Sequence, residues 1–125
     1  MAKIIITSDK LPVFGPYSIA VEADNFIFIS GQIPIEPATG EMIQDIKKAT
    51  RQVLANIETI LHGAGLKMTN IVKTTIFLKN ISDFDTVNEI YSEYFPQEPP
   101  ARSTIEVSAL PKGAPLEIES IAVRK

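Results

Sequence analysis

Cysteine is absent from this 125-residue chain, and histidine occurs once. Without cysteine there is no disulfide, no thiolate metal site and no thiol nucleophile. The lone His62 excludes a multi-histidine metal centre within one chain. It has no partner at catalytic-motif spacing and reads as a helix-surface residue. No apolar run approaches the ~18 residues that a membrane span needs. The first seven residues are too short for a signal-peptide core, so a cytoplasmic location is expected. Basic runs are also missing. Twelve Lys and Arg stand against fifteen Asp and Glu, a net charge of −3, which weighs against electrostatic nucleic-acid binding.

What is present suits a single domain over residues 1–125. The hydrophobic content is 45%, and a chain of this length can bury a core. Residues 3–7 read as a short edge strand. Pro12, Gly15 and Pro16 mark a loop. Residues 17–22 and 26–30 read as strands joined by an Asp24-Asn25 turn. Gly31-Gln32 interrupts the second strand, which suggests a bulge or a close backbone approach. From Asp45 a helix is expected, because Ile46, Ala49, Val53, Ile57, Ile60 and Ala64 share one face. A strand follows over 71–78. A second helix runs from about Asp83 to Phe95, with Ser82 as the expected N-cap. The last two strands cover 102–110 and 116–124. The order is β-β-β-α-β-α-β-β, an α+β fold with a single mixed sheet and two helices on one face. Strands 71–78 and 116–124 are apolar on both sides, so the other face of the sheet is expected to pack against further subunits.

The richest stretch lies near the C-terminus. Pro99-Pro100 deliver Arg102 to the start of a strand, a Pro/Gly turn reverses the chain, and Glu117 opens the next strand. Alternation puts Arg102, Thr104 and Glu106 on one side and Ser103, Ile105 and Val107 on the other, expected to be the core face. Arg102 is then either a bidentate carboxylate binder or a surface arginine paired with an acid. Glu117 either handles a water or is an edge carboxylate in solvent, with Glu119 as its near equivalent. The strands run antiparallel, so the two starts fall at opposite ends, more than about 20 Å apart. If both residues act on one ligand, they come from different subunits. Lys73 and Lys79 are weaker candidates, for a Schiff base.

The Pro-Ala-Arg-Ser and Leu-Glu-Ile-Glu segments, with Gly15-Pro16-Tyr17-Ser18 and Ser30-Gly31-Gln32-Ile33-Pro34, closely resemble the YjgF/YER/UK family. Its best-known members are the RidA enamine/imine deaminases. The resemblance covers Gly15 to Val123. It implies a homotrimer of chorismate-mutase-like subunits that hydrolyses short 2-imino acids to 2-keto acids and ammonia at subunit interfaces, without metal or cofactor. It further implies that Arg102 holds the substrate carboxylate and that Glu117, the first of the two glutamates, positions water. Tyr17, Ser30, Gly31, Phe84, Asn88 and Thr104 would complete the cleft. Three of them have plainer readings: Tyr17 as a strand tyrosine, Gly31 as a bending glycine and Phe84 as a core phenylalanine. Family deaminases often carry a cysteine where this chain has Thr104, whose backbone N–H can still donate. Two other roles stay open: a keto-acid-binding regulatory module, and an endoribonuclease or translation inhibitor as in some relatives. Neither a nucleic acid nor a membrane is expected as a partner.

Overall fold

The computed structural model describes residues 2–125. Its strands are β1 (Ile4–Ile6), β2 (Ala20–Ala23), β3 (Phe26–Gln32), β4 (Ile71–Leu78), β5 (Ala101–Glu106) and β6 (Leu116–Val123). Its helices are α1 (Ile46–Gly63) and α2 (Phe84–Tyr94). The strands form one mixed sheet in the order β1-β2-β3-β6-β4-β5. Only β4 and β5 pair in parallel; the other neighbours are antiparallel. β6 thus inserts between β3 and β4 instead of pairing with β5.

Alternation along the strands assigns the two faces. Ile27 and Ile29 of β3, Ile76 and Leu78 of β4, and Leu116, Ile118 and Ala122 of β6 are buried. They form one core with Val53, Leu54, Ile57, Ile60 and Leu61 of α1 and Val87 and Ile90 of α2. Both helices therefore cover this one face. α1 also buries Thr50, Leu54, Asn56 and Leu61, a wider stripe than the periodicity of its apolar residues suggests. Asp45 caps it, its side chain accepting from the Lys48 N–H at 3.0 Å. At the other end Arg124 donates to the Ala64 carbonyl and grips Glu22 through two nitrogens.

The opposite face carries Val21, Phe26, Phe28, Lys73, Thr75, Phe77, Ser103, Ile105, Glu117, Glu119 and Ile121, matched across the ladders. Among the described residues, no helix or strand covers it. Phe28 is 45% exposed and Ile105 46% exposed. Large apolar side chains grouped on one uncovered face mark a surface suited to association.

Several local expectations change. β2 starts at Ala20, so Tyr17 stands in a loop rather than a strand. The expected β5 to residue 110 ends at Glu106, because the chain leaves the ladder and turns at Pro111–Gly113, with Lys112 at φ 57°. Ser82 does not cap α2. The helix is entered through a 3₁₀ turn over Ile81–Asp83. The Ile81 N–H at its start is held by Glu106 Oε1 at 2.7 Å, so the turn is tied to β5. The Asp24-Asn25 turn forms as expected, both residues at positive φ, the geometry of a tight hairpin.

Candidate functional site

Arg102 points the other way from the sequence expectation. Its ladder partner is Thr74, and Thr104 is paired with Ile76. In a sheet, paired residues share a side, so Arg102 and Thr104 lie on the helix face and Ser103 and Ile105 on the uncovered one. The alternation was right in period and wrong in polarity. β5 is an edge strand, and α2 reaches it with polar and aromatic groups that receive an arginine.

Those groups form a socket. Asn88 Oδ1 accepts from Arg102 Nη2 at 2.7 Å. The Phe84 ring centroid is 5.5 Å from Cζ, and that of Tyr91 is 4.9 Å away. Cations within about 6 Å of a ring are attracted by its quadrupole. Residues 84, 88 and 91 recur at helical steps, so one stripe of α2 supplies all three contacts. Phe84 is 38% exposed at the rim. Arg102 has no carboxylate partner among the described residues. Five N–H donors and one neutral acceptor leave a guanidinium edge able to bind an anion. Beside it Thr104 Oγ1 is buried without a hydrogen-bond partner.

Glu117 belongs to a second constellation. It pairs with Phe77 across β6 and β4 and so lies on the uncovered face. A cavity of about 420 Å³ opens there, lined among others by Tyr17, Ser30, Gly31, Glu117 and Glu119, with an apolar side of Leu11, Phe14 and Ile33. The register shift between Ile29 and Gln32 bulges β3 at Ser30-Gly31. A Cβ on Gly31 would meet Glu117 Oε2 at 2.5 Å and Cδ at 2.7 Å. Glycine is therefore required for the carboxylate to lie against the β3 backbone, so the bulge and the close approach coincide. The Ser30 hydroxyl donates to the Ser18 carbonyl at 2.7 Å and its N–H to the Ile19 carbonyl at 2.9 Å, which ties the Tyr17 loop to β3. The Tyr17 hydroxyl accepts from the Phe14 N–H at 3.1 Å. Burial, then the nearby Glu119 charge, pushes the Glu117 carboxyl above its ordinary value.

The structure thus brings the expected residues together as two groups, not one: Arg102, Phe84, Asn88 and Thr104 on the helix face, and Glu117, Tyr17, Ser30 and Gly31 on the other. Arg102 stands beside Thr74 and Glu117 opposite Phe77, three residues further along and two strands across. Those offsets set their Cα atoms roughly 14 Å apart, less than the expected 20 Å. It is the sheet between them that keeps them from one ligand within a chain. Tyr91 was missed, although its seven-residue spacing from Phe84 put it on the same stripe. His62 is exposed on α1, 3.9 Å from Glu58, away from both groups. Lys73 lies near Thr75 on the uncovered face.

A family model described as Endoribonuclease L-PSP matches residues 7–124. The chain belongs to this family, the YjgF/RidA family. Two full-length relatives illustrate its range. A RutC family protein of Pyrococcus horikoshii is 49% identical over all of both chains. A protein of Escherichia coli named 2-iminobutanoate/2-iminopropanoate deaminase is 46% identical, again over all of both chains. Among solved structures, the Rid-family protein YyfA of Yersinia pestis superimposes with a TM-score of 0.94 at 52% identity, covering 98% of this chain and 99% of that one. The fold of this YjgF/RidA member is therefore shared along its length.

Proposed function

We propose that this protein hydrolyses short 2-imino acids to 2-keto acids and ammonia, in a homotrimer whose active sites lie between subunits. The observation that carries this reading is the division of the site. A pinned arginine without an acidic partner and a desolvated glutamate in a cavity lie on opposite faces of one sheet, and each lacks what the other offers. The uncovered apolar face supplies a surface on which copies can meet. The Escherichia coli relative is named for this activity.

In this reading the free edge of Arg102 binds the substrate carboxylate bidentately. Glu117 of a neighbouring copy faces the C=N carbon. Water adds to that carbon, its proton passing through the Glu117 carboxylate to the imine nitrogen. The resulting amino alcohol collapses: its hydroxyl proton passes through the same carboxylate to the nitrogen, the C=O bond forms as the C–N bond breaks, and ammonia leaves with the keto acid behind. A carboxyl raised by burial holds and returns a proton more readily near neutral pH than an exposed one. Tyr17 and Phe84 wall the alkyl chain. The Thr104 backbone N–H and the Gly31 region steady the polar atoms, and Asn88 fixes Arg102. Orientation and proton transfer of this kind give about 10²–10⁴-fold, useful for an imine that already hydrolyses slowly.

The test couples threonine and a dehydratase to keto-acid release in amine-scavenging buffer. Accelerated release of 2-ketobutanoate is expected, and Arg102→Ala should abolish the acceleration. Full activity in that variant would sink the mechanism. Tight 2-ketobutanoate binding without turnover would favour a regulatory module instead.

A further inference from the structure

Arg102 has one neighbour that the proposed reaction does not use. Tyr91 is buried on α2, yet its ring faces the guanidinium at 4.9 Å. Two contacts fix that ring. Its hydroxyl is hydrogen-bonded to Thr74 Oγ1 at 2.7 Å, in the buried interior. Its plane leans on Phe95, with centroids 4.6 Å apart. Thr74 is also the ladder partner of Arg102 across β4 and β5. The same threonine therefore registers the backbone of the arginine and anchors the ring beneath its head group. A core position filled for bulk alone has no use for this hydroxyl, and burial pushes the Tyr91 phenol upward, keeping it neutral.

A free arginine side chain has many rotamers to give up, and a bidentate grip on a carboxylate needs the guanidinium plane already set. Ordering it during folding removes that cost from binding. Asn88 holds one nitrogen, while Phe84 at the rim is more exposed. We infer that Tyr91 is a positioning residue for carboxylate recognition: anchored by Thr74, it holds the Arg102 guanidinium in the plane that receives the substrate. This rests on the reading of Arg102 as the carboxylate-binding group.

The test compares Tyr91→Leu, Tyr91→Phe and Thr74→Val, with Tyr94→Phe as control, in the assembled protein. KM and kcat are measured for imine hydrolysis. The Arg102 side-chain resonances, identified by their loss in Arg102→Lys, are followed by NMR. Tyr91→Leu should raise KM about tenfold, the weight of one desolvated cation–π contact, with kcat within about twofold. It should also reduce the ring-current shift of Arg102, leaving the part due to Phe84. Tyr91→Phe and Thr74→Val should raise KM less and retain part of that shift, and Tyr94→Phe should change neither. A folded Tyr91→Leu protein with unchanged KM and unchanged Arg102 resonances overturns the inference. If that variant does not fold, Tyr91→Phe and Thr74→Val decide: unchanged KM and resonances in both overturn it equally. A wild-type protein without imine hydrolysis defeats the functional reading instead. The Arg102 resonances still report whether Tyr91 holds the guanidinium.

Discussion

Gly31 and Glu117 lie against each other in the cavity. A methyl group at 31 would fall within 2.5 Å of the carboxylate, a distance that forces the glutamate aside. Gly31→Ala is therefore expected to lower kcat severalfold with little change in thermal midpoint, since the glutamate can swing into the cavity. Imine-hydrolysis kinetics alongside a melting curve would check this. The Glu117 charge gives a second expectation. Its carboxyl is raised in the folded protein, by burial first and by Glu119 second. The native state therefore holds that proton to a higher pH than the unfolded chain. Stability from this group falls as pH rises from the ordinary carboxylate range through the raised value. Glu117→Gln should accordingly melt higher than wild type at neutral pH, converge with it in acid, and be inactive. Equal midpoints at neutral pH would show that the carboxylate is not desolvated. Arg102 shows what was legible at this scale and what was not. The Pro-Pro-Ala-Arg segment marks it, and alternation separates its neighbours correctly. Which set faces the helices depends on β4, a strand outside the local pattern.

Among the elements, the first helix and the central strands were the most readable, because each carries its own residue pattern. Three- and four-residue steps outline α1, and runs apolar on both sides outline β4 and β6. Element ends were less readable, since tertiary ties decide them. Glu106 reaching back to Ile81 replaces the Ser82 cap with a 3₁₀ entry, and the loop around Tyr17 is tied down by Ser30. The insertion of β6 between β3 and β4 was not predictable from loop length, for the short Pro111–Gly113 turn suits a hairpin equally well. Two substitutions test the element scale. Asp45→Ala should cost about 0.5–2 kcal/mol, the usual value of a lost N-cap. Ile57→Ala, in the centre of the α1 face, should cost about 2–5 kcal/mol through the cavity it leaves. Denaturant unfolding would rank the two, and a reversed order would mean that the core relaxes around position 57.

For the whole molecule, the open face and the divided site make a joint prediction. Phe28→Asp with Ile105→Asp places charges on the uncovered sheet face. The expected outcome is a smaller particle by light scattering and loss of imine hydrolysis, although neither residue belongs to either half of the site. A more direct experiment refolds Arg102→Ala and Glu117→Gln chains together at equal amounts. Each is expected to be inactive alone. In a closed ring of head-to-tail interfaces, random mixing rebuilds about a quarter of the sites. Recovery to that level supports shared sites. A mixture as inactive as its components would mean that each chain completes its own.

The sheet that separates Arg102 from Glu117 has one more consequence. A catalyst assembled from two faces of different chains does not exist in dilute solution. Its specific activity should therefore drop with dilution, steeply near the dissociation constant of the assembly, while every chain remains folded. Abundance then becomes a control variable. If the sites are shared as proposed, a cell that makes a little of this protein would have almost none of the activity, and one that makes moderately more would have most of it.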